Sequence, residues 1–128
     1  MRLLLVRHGQ SEWNAARRLQ GHAEIGLSEL GKAQAEALRA TIDEAAPCRV
    51  VASDLKRVRE TGDRINATFV RYTAGLREID AGEWTGRAID DIRDEDEAAF
   101  QGWRAGTSAP PGGESWPAFV DRVAGVIE

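Results

Sequence analysis

Leu3-Leu4-Leu5-Val6-Arg7-His8-Gly9-Gln10-Ser11-Glu12-Trp13-Asn14 is the stretch on which the fold turns. Four apolar residues end abruptly in Arg-His-Gly and a polar run. An apolar segment without alternation reads as a strand buried on both faces, the habit of parallel sheets. Such a strand delivers Arg7 and His8 to its carboxyl end. In open α/β sheets that rim is where ligands bind.

Outward from this stretch, strand and helix signals alternate. Gly9 to Leu27 is a long loop, and long ordered loops tend to be functional. Ser28 is a good N-cap, and Leu30, Ala33, Ala37, Leu38, Thr41 and Ile42 then share one helical face. Pro47 ends that helix, and Arg49–Ser53 reads as a second strand. Asp54 is placed to cap a helix whose apolar side carries Leu55, Val58, Ile65 and Phe69. Residues 69–74 read as a third strand, Leu76–Gly86 as an irregular segment, and 87–100 as a helix. Pro110-Pro111-Gly112-Gly113 is a break. Ser115 then caps a last helix with Trp116, Phe119, Val120, Val123 and Ile127 at helical spacing. That helix is still periodic at Glu128, so the domain looks unfinished. The alternation implies an α/β fold, with helices on both faces of a mostly parallel sheet.

At 128 residues, 42% hydrophobic and 30% charged, the chain has the makeup of one globular domain spanning 1–128. A net charge of −4 speaks against nucleic-acid and membrane-surface partners, which reward a concentrated positive field. The apolar run at 3–6 is too short for a signal segment or a membrane span, so a cytoplasmic location is expected. The single Cys48 excludes an internal disulfide and reads as a small core residue.

Three chemical groups come after three strand ends: Arg7 with His8, then Arg57, then Glu78. Parallel strands bring these places to one rim. Each alone also reads as a structural turn, a solvated cation or a surface carboxylate. Together they suit phosphoryl transfer from a monoester. Guanidinium forks bind phosphoryl oxygens and stabilise transition-state charge. Their charge should keep one nitrogen of His8 unprotonated near neutral pH. A backbone carbonyl accepting the Nδ1 proton would aim Nε2 at phosphorus, making His8 a covalent nucleophile. Glu78 could protonate the leaving oxygen and then activate water. The scheme needs no metal and no cofactor, and two His with one Cys give no zinc pattern.

Residues 5–14 resemble the signature of the histidine phosphatase superfamily, in its phosphoglycerate-mutase-like branch. Further segments match in order: Arg18-Leu19-Gln20-Gly21, Leu27 to Ala35, Ser53 to Val58, Leu76 to Gly86, and Pro111-Gly112-Gly113-Glu114-Ser115. The resemblance implies a three-layer α/β/α sandwich. It also implies that His8 is the phosphorylated histidine, with Arg7 and Arg57 in the phosphate pocket. Asn14 then borders that pocket, Gln20 and Gly21 form the loop over the substrate, and Glu78 is the proton donor. His22 falls on the rim. Glu83, Trp84 and Trp103 fall on the leaving-group side, with core packing as the competing job of each Trp.

Relatives carry a second pocket histidine, in a His-Gly dipeptide on a later strand, and this chain does not contain it. That leaves three expectations: a fragment of a longer protein, a short variant completed by association, or a phosphate-binding module without catalysis. Self-association is expected in each case, because a shortened sheet exposes strand edges and apolar surface. The implied activity is a phosphatase acting on a small phosphorylated metabolite. The alternatives are a phosphoglycerate mutase and a non-catalytic phospholigand binder.

Overall fold

A computed structural model describes all 128 residues. Its helices surround a parallel two-stranded sheet, so the chain is α/β. Strand β1 (Val50–Ser53) pairs with β2 (Val70–Thr73), Val50 facing Val70 and Ser53 facing Thr73. The crossover between them is helical. Both strands therefore point the same way, and the chain leaves them at one end of the pair.

The N-terminal expectation fails. Leu3–Val6 forms no ladder with any strand, and it lies at the surface with Leu3 67% and Leu5 83% exposed. An apolar run signals a buried strand only if a neighbour supplies ladder partners and a covering face. Neither is present around residues 3–6.

Ser11 opens a short helix, α1 (Glu12–Ala15), through a capping box with Asn14. Ser28 caps α2 (Glu29–Ala37) by accepting the Gly31 N–H at 3.1 Å. The expected single helix to Ile42 is broken at Leu38 and restarts as α3 (Arg39–Ala45). Ala46 is left-handed at φ 44 and ends it ahead of Pro47. The buried face is Gly31, Ala35 and Ile42, whereas Leu30, Ala33, Ala37 and Thr41 are exposed. Cys48 is also exposed rather than packed.

Helix α4 (Lys56–Arg64), the crossover between the strands, packs on α2. Asp54 does not cap it, and Leu55 holds that position without a side-chain bond. The helix stops well short of Phe69, because Asn66 turns left-handed at φ 62. Phe69 is then fully exposed. Ala35, Ile42 and Ile65 form one small core, with Leu38 and Ala67 against it.

Residues 87–100 are likewise two helices, α5 (Ile89–Glu95) and α6 (Glu97–Arg104). Asp96 separates them, its side chain accepting the Ala99 N–H at 3.0 Å. An aspartate competing for backbone donors favours such a cap over a helix interior. Trp84, Ile92 and Phe100 form a second core beside Leu19 and Trp103, so Trp84 does the core-packing job expected of it. Ser115 caps the last helix, α7 (Trp116–Ile127), as expected. This helix lies on the 3₁₀ turn Ala74–Leu76 so closely that a Cβ on Gly75 would come 2.4 Å from Val126. None of its residues is fully buried.

Candidate active site

Arg57, in the first turn of α4, is the most deeply buried charge, at 1% exposure. Its Nη2 donates to the Gly21 carbonyl at 2.8 Å and to Glu78 Oε2 at 3.0 Å. Its Nη1 donates to the Ala23 carbonyl at 3.1 Å. One guanidinium thus ties the first loop to the segment after β2. Its Nε–H is buried and has no partner. Gly21 is at φ +50, and a Cβ there would stand 2.7 Å from the Ala81 nitrogen, so only glycine fits this approach.

His8 reaches the site through helices rather than a sheet. Thr61, one turn after Arg57, donates its hydroxyl to the Arg57 carbonyl at 2.7 Å and accepts the Gly9 N–H at 3.1 Å. Behind Gly9, Gly31 lets α2 touch the chain, since a Cβ on Gly31 would lie 1.9 Å from the Gln10 carbonyl oxygen. Gln10 is also held by Gln34 and Ser28.

Nδ1 of His8 lies 2.6 Å from the Gly9 carbonyl oxygen. A carbonyl only accepts, so Nδ1 carries a proton, and in the neutral ring Nε2 keeps its lone pair. Burial holds His8 below its ordinary value of 6.5, and the charges of Arg57 and Arg7 push the same way. The Gly9 carbonyl and the Glu78 charge oppose them. The balance favours a neutral imidazole with a free Nε2.

Glu78 is half exposed and faces Arg57 across the rim. Its neighbour Arg77 grips Asp54 with two bonds of 2.7 and 2.8 Å, fastening the segment after β2 to the end of β1. That ion pair holds the Asp54 carboxyl below its usual range. It also explains why Asp54 caps nothing.

The structure therefore brings His8, Arg57, Glu78 and Gly21 together, with Gln20 buried beneath and bonded to Ser11. Arg7 is exposed, with no hydrogen bond or ion pair, and acts on His8 only through its charge. Asn14 spends its side-chain Oδ1 on the Ser11 N–H at 3.0 Å, inside the capping box. His22 donates from Nε2 to the Glu78 carbonyl at 2.7 Å. Sequence reasoning missed Thr61, the Asp54–Arg77 pair, and the pairing of Glu114 with Arg122 on α7. Asp54, Arg77 and Glu114 carried a signal through their places in the segments Ser53 to Val58, Leu76 to Gly86 and Pro111 to Ser115, whereas Thr61 and Arg122 carried none.

Residues 3–128 match the family model described as histidine phosphatase superfamily, branch 1. The chain belongs to that superfamily. It is 37% identical over 118 residues to glucosyl-3-phosphoglycerate phosphatase of Mycobacterium tuberculosis, covering 89% of this chain and 53% of that protein. It is 34% identical over 132 residues to a probable phosphoglycerate mutase, GpmB, of Salmonella paratyphi C, covering 96% and 60%.

Among solved structures it resembles a mycobacterial glucosyl-3-phosphoglycerate phosphatase in complex with VO3, with a TM-score of 0.88 and 34% identity. That match covers 94% of this chain and 62% of the other. A putative alpha-ribazole-5'-P phosphatase from Escherichia coli matches with a TM-score of 0.82 and 28% identity, covering 95% and 63%. The chain thus spans a little over half the length of the curated relatives it matches. No helix is long and apolar enough to cross a membrane.

Proposed function

We propose that this histidine phosphatase chain is a phosphomonoester hydrolase that acts through a phosphohistidine intermediate on a small phosphorylated metabolite. The observation that carries the reading is the Nδ1–H of His8 against the Gly9 carbonyl, beside the buried Arg57. Nε2 attacks phosphorus, the N–P bond forms, and the P–O bond to the leaving group breaks. Arg57, with Arg7 swinging in from the surface, stabilises the charge that builds on the phosphoryl oxygens. The arriving phosphoryl group competes with Glu78 for Arg57, and protonated Glu78 gives its proton to the leaving oxygen. The same carboxylate then takes a proton from the water that hydrolyses phosphohistidine. Gln20, Gly21 and Asn14 border the substrate.

The similarity to glucosyl-3-phosphoglycerate phosphatase favours a sugar-phosphate-like or phosphoglycerate-like leaving group. The similarity to GpmB supports the mutase reading as the runner-up. Hydrolysis of p-nitrophenyl phosphate, with a chelator present, is expected for the native chain and lost in His8→Ala. Turnover that survives His8→Ala would sink the reading. With 3-phosphoglycerate, inorganic phosphate is the expected product, and 2-phosphoglycerate would replace hydrolase by mutase.

A further inference from the structure

The groups of the catalytic scheme lie on α4, the N-terminal segment with its first loop, or the segment after β2. Helix α7 lies outside that set, yet one of its side chains reaches behind Glu78. Arg122 forms a two-pronged pair with Glu114, Nε to Oε1 and Nη2 to Oε2, both at 2.8 Å. The rest of its guanidinium faces backbone. Nη1 donates to the carbonyls of Arg77 at 2.9 Å and Gly75 at 3.0 Å, and more distantly to Ala74 at 3.4 Å. Nη2 reaches the Glu78 carbonyl at 3.3 Å.

Glu114 closes the arrangement from the other side. Its Oε2 accepts the Asp80 N–H at 3.1 Å, and its own N–H donates to the Asp80 carbonyl at 3.0 Å. Burial is shared, with Arg122 25% and Glu114 16% exposed, and each partner holds the other charged. The Glu78 carbonyl accepts from both Arg122 and His22, so it is gripped from α7 and from the first loop at once. A residue whose backbone is held on both sides presents its side chain in one direction. Here that direction is the Nη2 of Arg57.

We propose that Arg122, braced by Glu114, is a positioning residue that fixes the backbone of residues 74–80, so that the Glu78 carboxyl faces Arg57 and His8. Neither Arg122 nor Glu114 touches the reacting atoms. The inference rests on the reading of Glu78 as the proton donor, and it assigns to α7 the job of aiming that donor. Helix α7 thus docks on the segment after β2 through this polar pair as well as through the close approach of Val126 to Gly75.

The test reads the position of the Glu78 charge at His8, and does so whether or not the chain turns over. The charges acting on His8 are Arg57 and Arg7, which lower its proton affinity, and Glu78, which raises it. His8 is monitored by NMR titration of its ring, with the signal lost in His8→Ala assigning the two histidine signals. Glu78→Gln is expected to move the His8 midpoint down, because it removes the charge that raises it. Arg122→Gln is expected to move it down as well, and to add nothing in the Glu78→Gln background. Mere loss of a cation would move the midpoint up, so the sign separates positioning from simple electrostatics.

Arg122→Lys keeps the charge but not the fork and is expected to fall between native and Arg122→Gln. Glu114→Gln, which leaves Arg122 in place, is expected to give a smaller downward shift, and it serves if Arg122→Gln proves unfolded by circular dichroism. A His8 midpoint that stays at its native value in Arg122→Gln, or in Glu114→Gln if that variant has to serve, while moving in Glu78→Gln, overturns the positioning role alone. A midpoint unmoved by Glu78→Gln overturns the donor reading, and the inference with it.

Discussion

The two arginines of the candidate site sit in opposite surroundings. Arg57 is buried and bonded to two loop carbonyls and a carboxylate. Arg7 is exposed and bonded to nothing, at the end of an apolar segment that no strand accompanies. His8 is thus held through helix α4 and its polar contacts rather than by a first strand, whereas Arg57 and Glu78 follow the ends of β1 and β2. Thr61 joins His8 to Arg57 through backbone groups on either side of one hydroxyl. His8 therefore keeps its place although the residues before it have no ladder.

The contrast can be broken most strongly at Arg57. Arg57→Met leaves the Gly21 and Ala23 carbonyls without their donor and frees Glu78 into solvent. A buried acceptor left unpaired costs about 1–3 kcal/mol, and partial access of water to this rim places the total near the middle of that range. Urea unfolding would show it as a lower midpoint at unchanged slope. Loss of inorganic phosphate binding is expected in the same variant.

A smaller effect is expected at the Asp54–Arg77 clamp, which is partly open to water. The Asp54 carboxyl is held below its ordinary 3.8 chiefly by its bonds to Arg77. Its contribution is therefore complete above that ordinary value and is lost as pH falls through the lowered value in the folded chain. Asp54→Asn should cost about 0.5 kcal/mol at neutral pH and nothing at strongly acid pH. Unfolding measured across pH 2 to 7 (about the carboxylate range) would test this. Equal losses at both ends of the series would show that the ion pair contributes nothing.

The smallest effect belongs to the open region. Leu5→Glu, at a position 83% exposed, should change stability by no more than about 0.5 kcal/mol. A loss several times larger would mean that residues 3–6 are packed in solution, and that Arg7 is held as firmly as Arg57.

Much of this was legible in the chain itself, and the reasons differ by element. Ser28 and Ser115 could be read as caps because capping is settled within three residues. Arg57 and Glu78 could be placed on one rim because a parallel pair with a helical crossover fixes where each strand ends. Leu3–Val6 could not be read correctly, because strand formation needs a partner elsewhere in the chain. The periodicity of residues 28–42 pointed to Leu30 and Ala37, whereas the close approach of Gly31 to Gln10 turned a different face inward. Arg122 and Glu114 left little trace as a pair, since their effect is on the backbone of residues 74–80, more than thirty positions away.

The central claim is that His8 takes the phosphoryl group on Nε2. Its most direct test is to mix the chain with p-nitrophenyl phosphate, quench in alkali, and locate phosphate by peptide mass spectrometry and phosphorus NMR. The expected result is phosphate on Nε2 of His8, absent from His8→Ala. Release of p-nitrophenol with His8 unmodified throughout, or phosphate found on Nδ1, would contradict it.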